Sequence, residues 1–272
     1  MSASDHAPRY RNQAAQRVLA VLGSFIGHDG PRSVTEIARE LKLSKNMVHR
    51  ALSTLVAENY LARDVTGERY QLGLKLLSLT QSGAAEFDIV ALARPALEAL
   101  HAVTGESVYL SIIVGRNRVT VDDIQAQGPR VLRSPRGHPV ALHCTKMSRT
   151  LLAHLSDTEI DDYLKKAAPL HRPQRFPDPA SESAKAVWRD IEEIRSTPYV
   201  LWRNPHLASA AYAIFPVLDE TGHPHAIVTV GGPRERFDLD RIKDLLPQMR
   251  LVLEPLERQA RLISAPPFLV DS

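Results

Sequence analysis

The feature that most constrains this chain lies in residues 33–56, where two short amphipathic segments flank a tight turn. Ser33 and Glu36 form an S-x-x-E capping box, with Thr35 the other candidate cap, and open a helix that turns Ile37, Ala38 and Leu41 inward. Leu43-Ser44 makes the turn. Ser44 caps the next helix, in which Val48, Leu52, Leu55 and Val56 repeat at i, i+4, i+7 and i+8. An earlier helical stretch over 14–27 places Ala15, Val18, Leu19, Leu22 and Ile26 at helical spacing and ends at Gly27 and Gly30-Pro31. Residues 60–72 alternate apolar and polar around Thr66-Gly67, the pattern of a hairpin. Helix, helix, turn, helix, hairpin reads as a winged helix-turn-helix.

A helix that reads DNA packs one face on its neighbour and lines the other with donors for base edges and phosphates. Removing the apolar positions of the third helix leaves Ser44, Lys45, Asn46, His49, Arg50, Ser53 and Thr54. Lys45, Asn46 and His49 fall in its first two turns, where side chains enter a major groove. Ser44 and the helix N-terminus suit a phosphate, and Arg50 suits a phosphate or a guanine edge. Arg63 and Arg69 flank the hairpin tip, where a wing meets backbone or minor groove.

The charge distribution agrees. Of 34 Lys+Arg and 31 Asp+Glu, residues 1–84 hold 11 and 7, a balance of +4, which leaves 23 against 24, or -1, for 85–272. The basic excess sits where a polyanion would be met. A charged fraction of 24% and a mean hydropathy of -0.19 are those of an ordinary soluble globular protein. No run approaches 18 apolar residues, so no membrane span is expected. Residues 1–11 carry Asp5, Arg9 and Arg11 without an apolar stretch, so a secretory leader is not expected and the address is cytoplasmic. The single Cys144 forms no internal disulfide and supplies no thiolate zinc site.

Beyond residue 84 the pattern changes. A helix is expected from 89 to 103, then strands at 108–114 and 119–124 across the turn Gly115-Arg-Asn117. Helices follow near 146–154, 157–166 and 181–195. Strands at 208–218 and 225–230 are joined by Glu220-Thr-Gly-His-Pro224, and a last amphipathic helix carries Leu239, Ile242, Leu245, Leu246, Met249, Leu253 and Leu256. The reading is a mixed α/β (α+β) chain: a winged helix-turn-helix over 1–73, a linker helix over 74–86, and an α/β domain over 87–272 with a Pro-rich patch at 169–179.

The run Val34-Thr-Glu-Ile-Ala-Arg-Glu-Leu-Lys-Leu-Ser-Lys-Asn-Met-Val-His-Arg-Ala-Leu-Ser-Thr-Leu55, with Tyr60-Leu61 and Arg69-Tyr-Gln-Leu-Gly73, resembles the DNA-binding domain of IclR-type bacterial transcriptional regulators. The likeness continues through Ala93-Arg-Pro-Ala-Leu97, Thr104-Gly-Glu106, Pro216-Val-Leu-Asp219 and Gly231-Gly-Pro233, and so covers nearly the whole chain. Asn59 stands where the family usually has Gly, and Asn tolerates the left-handed backbone of a helix C-cap. The resemblance implies a C-terminal domain related to the GAF/PAS sensor folds, which binds a small organic acid and assembles homodimers or homotetramers on a double-stranded DNA operator. It implies no cofactor, no metal and no catalytic residue.

Carried over by position, the family's effector cleft resembles Leu132, Val140, Lys146, Met147, Trp202, Tyr212 and Thr229 here. The chain departs from the family at Lys146-Met-Ser-Arg-Thr150, where Ala-x-Gly-Lys/Arg-Ala is usual. Trp202 replaces an acid, Tyr212 a frequent cysteine, and Pro198 a Gly. Trp202 and Tyr212 make the site more apolar and aromatic, which suits a flat ring, and Lys146 or Arg149 could neutralise a carboxylate. An aromatic carboxylate or related catabolite is therefore expected, with either sign of regulation open.

Other constellations are weaker. His143-Cys144 are sequence neighbours whose side chains diverge on a strand, and His223 and His225 sit in a hairpin without an acidic cluster. Asp122-Asp123 and Asp157, Asp161 and Asp162 read as surface charge and helix N-terminal acids. Two further functions stay open: an enzyme on a sensor-like fold using Cys144, His143 or Ser148, and a regulator with a vestigial pocket that answers to a protein partner.

Overall fold

The computed structural model describes residues 12–26, 28, 30–76, 78, 88–128, 132, 134, 136–168, 170, 183–203, 210–266 and 268. Its contacts divide the chain into two units, Met1–Glu86 and Phe87–Ser272. Most of the expected linker helix over 74–86, and all but residue 170 of the Pro-rich patch, lie outside the described residues.

In the first unit α1 (Gln13–Gly23), α2 (Val34–Leu41) and α3 (Lys45–Ala57) precede a two-stranded antiparallel hairpin, β1 (Leu61–Arg63) and β2 (Tyr70–Leu72). The Ser33–Glu36 capping box forms reciprocally, and Ser44 caps α3 by accepting from the Met47 N–H at 3.3 Å. Between the two helices Lys42 takes a left-handed backbone, φ 53°, which closes the turn. The core joins Val21, Phe25, Ile37, Val48, Leu52, Leu55, Leu61 and Tyr70. The inward stripe of α1 is Val18, Val21 and Leu22, and Phe25, just past the helix, continues it. Leu19 stands one position off it and is 65% exposed, while Ile26 lies beyond the end of the helix and is also exposed. Asn59 adopts φ 62°, and at Gly73 an added Cβ would fall 2.3 Å from the Asn59 carbonyl oxygen, so the chain passes too closely there for a side chain.

The second unit is a six-stranded antiparallel sheet. Its strands are β3 (Ser107–Val114), β4 (Asn117–Ile124), β5 (Pro139–Ala141), β6 (Val200–Arg203), β7 (Ala210–Leu218) and β8 (Pro224–Pro233), in the order β5-β4-β3-β8-β7-β6. One face buries Val108, Leu110, Ile112, Val228 and Val230 against α4 (Asp88–Thr104) and α8 (Leu239–Ala260). The other carries Ile214, Ile227, Tyr212 and Val200 against α5 (Lys146–Ala153), α6 (Asp157–Ala167) and α7 (Ala184–Arg195). β5 and β6 are absent from the sequence expectation because runs of 3 and 4 residues carry no readable period.

Two motifs outside the core acquire roles. The Asp219 carboxylate accepts from the Thr221 N–H at 2.8 Å, the Thr221 hydroxyl at 2.6 Å, the His223 N–H at 2.9 Å and the Ala265 N–H at 3.1 Å. It thus closes the β7–β8 hairpin and ties it to the chain after α8. These donors favour the charged form and hold its pKa down at about 2, although burial opposes them. Gly231-Gly232 leaves room on both faces: a Cβ at 231 would come within 2.7 Å of the Tyr212 ring, and one at 232 within 2.7 Å of the Glu106 carboxyl carbon. Glu106, buried, pairs with Arg236 at 2.5 Å and 2.9 Å.

Candidate functional site

The outward face of α3 is built for contact with something outside the chain. Ser44, Lys45, Asn46, His49, Arg50, Ser53 and Thr54 are exposed, while Val48, Ala51, Leu52 and Leu55 hold the helix on the core. The Thr54 hydroxyl bonds back to the Arg50 carbonyl at 3.1 Å. Among the described residues the side chains of Lys45, Asn46, His49, Arg50 and Ser53 have no hydrogen-bond or ion-pair partner, so their donors remain free at no cost to the fold. A positively charged, polar face of this kind beside a helix N-terminus fits phosphate oxygens and base edges.

The hairpin arginines differ from this. Arg63 donates to the Gly67 carbonyl at 2.9 Å and lies over the Tyr70 ring at 5.4 Å, which leaves it exposed near the tip. Arg69 is drawn back into the unit. Its Nε donates to the Pro31 carbonyl at 3.0 Å and its terminal nitrogen to the Glu36 carboxylate at 2.7 Å, so it fastens the wing to the start of α2. Its side chain is still 45% exposed beside the hairpin.

On the α5 face of the sheet, register brings polar side chains together on one surface. Val140 on β5 is opposite Arg118 on β4, Thr120 is opposite Ser111 on β3, and Tyr109 on β3 is opposite Thr229 on β8. Gly231 is opposite Tyr212 on β7, which is opposite Trp202 on β6. The rings of Trp202 and Tyr212 stack with centroids 5.4 Å apart and planes at 26°. Leu132, whose carbonyl accepts from the Tyr109 hydroxyl, reaches toward Gly231 from the loop above. Leu132, Val140, Trp202, Tyr212 and Thr229 are thus assembled around one face, with Met147 packed at its margin.

The two cations expected to take a carboxylate are already committed. Arg149, fully buried, donates from Nε to the His143 carbonyl at 2.8 Å and pairs with Asp190 on α7. Lys146 lies 3.0 Å from Glu193 and 3.5 Å from Asp190. Both cations thus pair with carboxylates of α7.

Arg118 is the residue that sequence reasoning missed. It is 4% exposed. Its guanidinium donates to Ser148 Oγ at 3.3 Å, to Ser111 Oγ at 2.9 Å and to Thr120 Oγ1 at 3.1 Å. Burial lowers its pKa to about 10, which still leaves it charged at neutral pH. The Tyr212 phenol is raised to about 12 by burial and stays a neutral donor. The signal was present as polar residues at alternate positions, Tyr109 and Ser111 on β3 and Arg118 and Thr120 on β4, within strands otherwise apolar on the other face.

Residues weighed for catalysis or metal binding have structural partners. The His143 ring bonds the Tyr163 hydroxyl at 2.7 Å, and Cys144 is wholly buried. The His225 ring nitrogen lies 3.0 Å from the carbonyls of Ala260 and Ile263, at the end of α8. Among the described residues no group of three or more His, Cys, Asp or Glu is placed to hold a metal ion. No described helix is long and apolar enough to cross a membrane.

Comparison with known proteins places this geometry. Residues 14–65 match the profile described as the IclR helix-turn-helix domain, and residues 81–257 that of the bacterial transcriptional regulator IclR C-terminal domain. The chain is 28% identical over 232 residues to the HTH-type transcriptional regulator BhcR of Paracoccus denitrificans, covering 85% of this chain and 81% of that one. It is 22% identical over 229 residues to the HTH-type transcriptional repressor AllR of Escherichia coli K12, covering 84% and 83%. An IclR homologue from Microbacterium hydrocarbonoxydans, solved in complex with 4-hydroxybenzoate, superimposes with a TM-score of 0.74 at 19% identity, covering 92% of this chain and 100% of that one.

Proposed function

The chain belongs to the IclR family of bacterial transcriptional regulators, and from that premise we propose that it is a cytoplasmic regulator of a catabolic operon whose operator affinity changes when an aromatic carboxylate enters the cleft. The family membership makes it a DNA-binding transcriptional regulator with a helix-turn-helix. The observation that carries the DNA reading is the face of α3, where Lys45, Asn46, His49, Arg50 and Ser53 are exposed and unpartnered among the described residues. Ser44 at the helix N-terminus and Arg63 near the hairpin tip add phosphate contacts. We assign residues 1–73 to the reading head, 74–86 to the linker, and 87–272 to the effector-binding and oligomerisation domain.

The effector reading is supported by the Trp202–Tyr212 stack, the neutral phenols of Tyr109 and Tyr212, and the aromatic acid named for the Microbacterium homologue. As a homodimer or homotetramer the protein binds a pseudo-palindromic operator, and ligand and DNA act on one equilibrium between arrangements of the heads. The ligand acts only through unequal affinity for those arrangements. The test is operator binding by the full chain beside a Lys45→Ala, Asn46→Ala, Arg50→Ala variant. The variant is expected to lose specific binding while keeping its ligand affinity, and unchanged operator binding refutes the assignment.

A further inference from the structure

The geometry points to Arg118 as the carboxylate anchor of the cleft, a buried cation set among hydroxyls to receive a monoanionic ligand. This rests on the reading of the cleft as an effector site and names the group the effector presents to it.

Arg32 pairs with Glu40, Arg149 with Asp190, Arg236 with Glu106, and Arg136 with Asp122 and Asp123. Arg118 is 4% exposed, and among the described residues no carboxylate lies within ion-pair distance of it. Its partners are the hydroxyls of Ser111, Thr120 and Ser148. Thr120 is in turn 2.9 Å from Ser134 Oγ, and Ser148 is 2.9 Å from Thr145 Oγ1. A buried ion without a counter-ion is an expensive arrangement. Hydroxyls orient the guanidinium and cannot neutralise it, so the missing negative charge is a ligand's to supply.

A second group points into the same space. Thr229 Oγ1 is buried and has no hydrogen-bond partner among the described residues, although buried hydroxyls normally find one. It stands on β8, between the Arg118 side of the sheet and the Tyr212 side. Tyr212 on β7 is opposite Gly231, two residues along β8 from Thr229, and Thr229 is opposite Tyr109 on β3, so the same face runs from Arg118 through Thr229 to Tyr212. A ligand lying across Tyr109, Ser111 and Thr229 puts its carboxylate on Arg118, in the bidentate geometry a guanidinium favours, and its ring toward Tyr212 and Trp202. One buried cation balances one negative charge, so the site selects monocarboxylates over dicarboxylates and over neutral amides.

The test measures binding to the purified full chain with benzoate, benzamide, terephthalate and propionate as probes, for wild type, Arg118→Met and Arg118→Lys. Truncating one member of a buried charge pair corresponds to about 30-fold or more in affinity. Arg118→Met is therefore expected to bind benzoate about 100-fold more weakly. Benzamide binding should be unchanged and Arg118→Lys partly recovered, and terephthalate should trail benzoate in wild type. Because the variant removes an unbalanced buried charge, its ligand-free thermal midpoint should equal or exceed that of wild type. Equal benzoate affinity in wild type and Arg118→Met overturns the proposal, as does a ligand-free midpoint that falls in both variants. Should propionate, and not benzoate, bind in an Arg118-dependent way, the anchor stands and the aromatic reading falls. Should neither acid bind wild type better than benzamide, the anchor falls whatever the ring preference.

Discussion

Gly231→Ala reports on the cleft more sharply than any truncation, because it adds one methyl where the structure leaves room for none. The added Cβ would lie 2.7 Å from Tyr212 Cδ1 and 2.8 Å from Cε1, with Leu132 Cδ1 in ordinary contact at 3.6 Å. Carbon atoms pack at about 3.5–4.0 Å, so the Tyr212 ring must move by about 1 Å. It cannot do so freely, since it stacks on Trp202 at 5.4 Å. Overpacking of this kind costs about 1–3 kcal/mol, and at about 2–4 °C per kcal/mol for a domain of this size the thermal midpoint should fall by about 2–12 °C. Circular dichroism melts and aromatic-acid titrations of the full chain read both consequences. We expect the lower midpoint together with at least tenfold weaker ligand binding, while operator affinity without ligand stays within a factor of about three, because residue 231 is outside the DNA-reading unit. The decisive control is the double mutant with Tyr212→Ala, in which the methyl meets open space and should cost almost nothing. If Gly231→Ala costs the same in both backgrounds, the close approach to Tyr212 is not the cause and the reasoning fails.

Arg50→Ala should weaken operator binding and reduce the slope of log K against log salt by about 0.9 if Arg50 meets one phosphate, with an unchanged melting curve because its side chain is exposed. Arg69→Met should do the opposite, lowering the midpoint through loss of the Glu36 and Pro31 contacts while the salt slope changes by less than about 0.5. Asp219→Ala removes an acceptor of four hydrogen bonds and should cost about 2–4 kcal/mol in denaturant unfolding at pH 7. In the wild type the stabilisation from the depressed Asp219 pKa is present above about 4 and is lost as pH falls toward about 2. His154 is pushed down to about 4 by burial and then by the nearby Arg195 charge, so the unfolded chain binds its proton first. Stability should therefore fall as pH drops from about 6.5 to about 4, and His154→Phe should flatten that part of the profile.

The DNA-reading unit was legible because its signals are local. The Ser33–Glu36 box, the Ser44 cap and the Val48–Leu55 stripe each depend on residues within a turn or two, and the structure reproduces them. Leu19 was misplaced because its helical spacing fits a stripe one position away from the true one. The pairing of Arg69 was not legible because its partners, Pro31 and Glu36, are more than 30 residues earlier and only the fold brings them close. In the second unit the long strands were visible in their apolar runs, whereas β5 and β6 were too short. The stacked pair Trp202–Tyr212 was legible through departures from the family pattern at those positions, whereas the burial of Arg118 was not. Lys146 and Arg149 stood beside a motif and drew attention, but Asp190 and Glu193, about 40 residues on, claim them. That the hydrogen-bond partners of Arg118 among the described residues are hydroxyls depends on which residues β3, β4 and α5 bring together.

The central claim is that one chain couples an aromatic carboxylate to operator affinity. Fluorescence anisotropy of the full chain on DNA from the region upstream of its own gene, at one fixed salt concentration with and without saturating benzoate-class ligand, tests it directly. The account predicts specific binding at least about 1,000-fold tighter than to unrelated DNA, with a midpoint that moves about 5- to 150-fold when ligand is added and a reciprocal change in ligand affinity when operator is added. A midpoint that stays in place while calorimetry shows the ligand bound would contradict it.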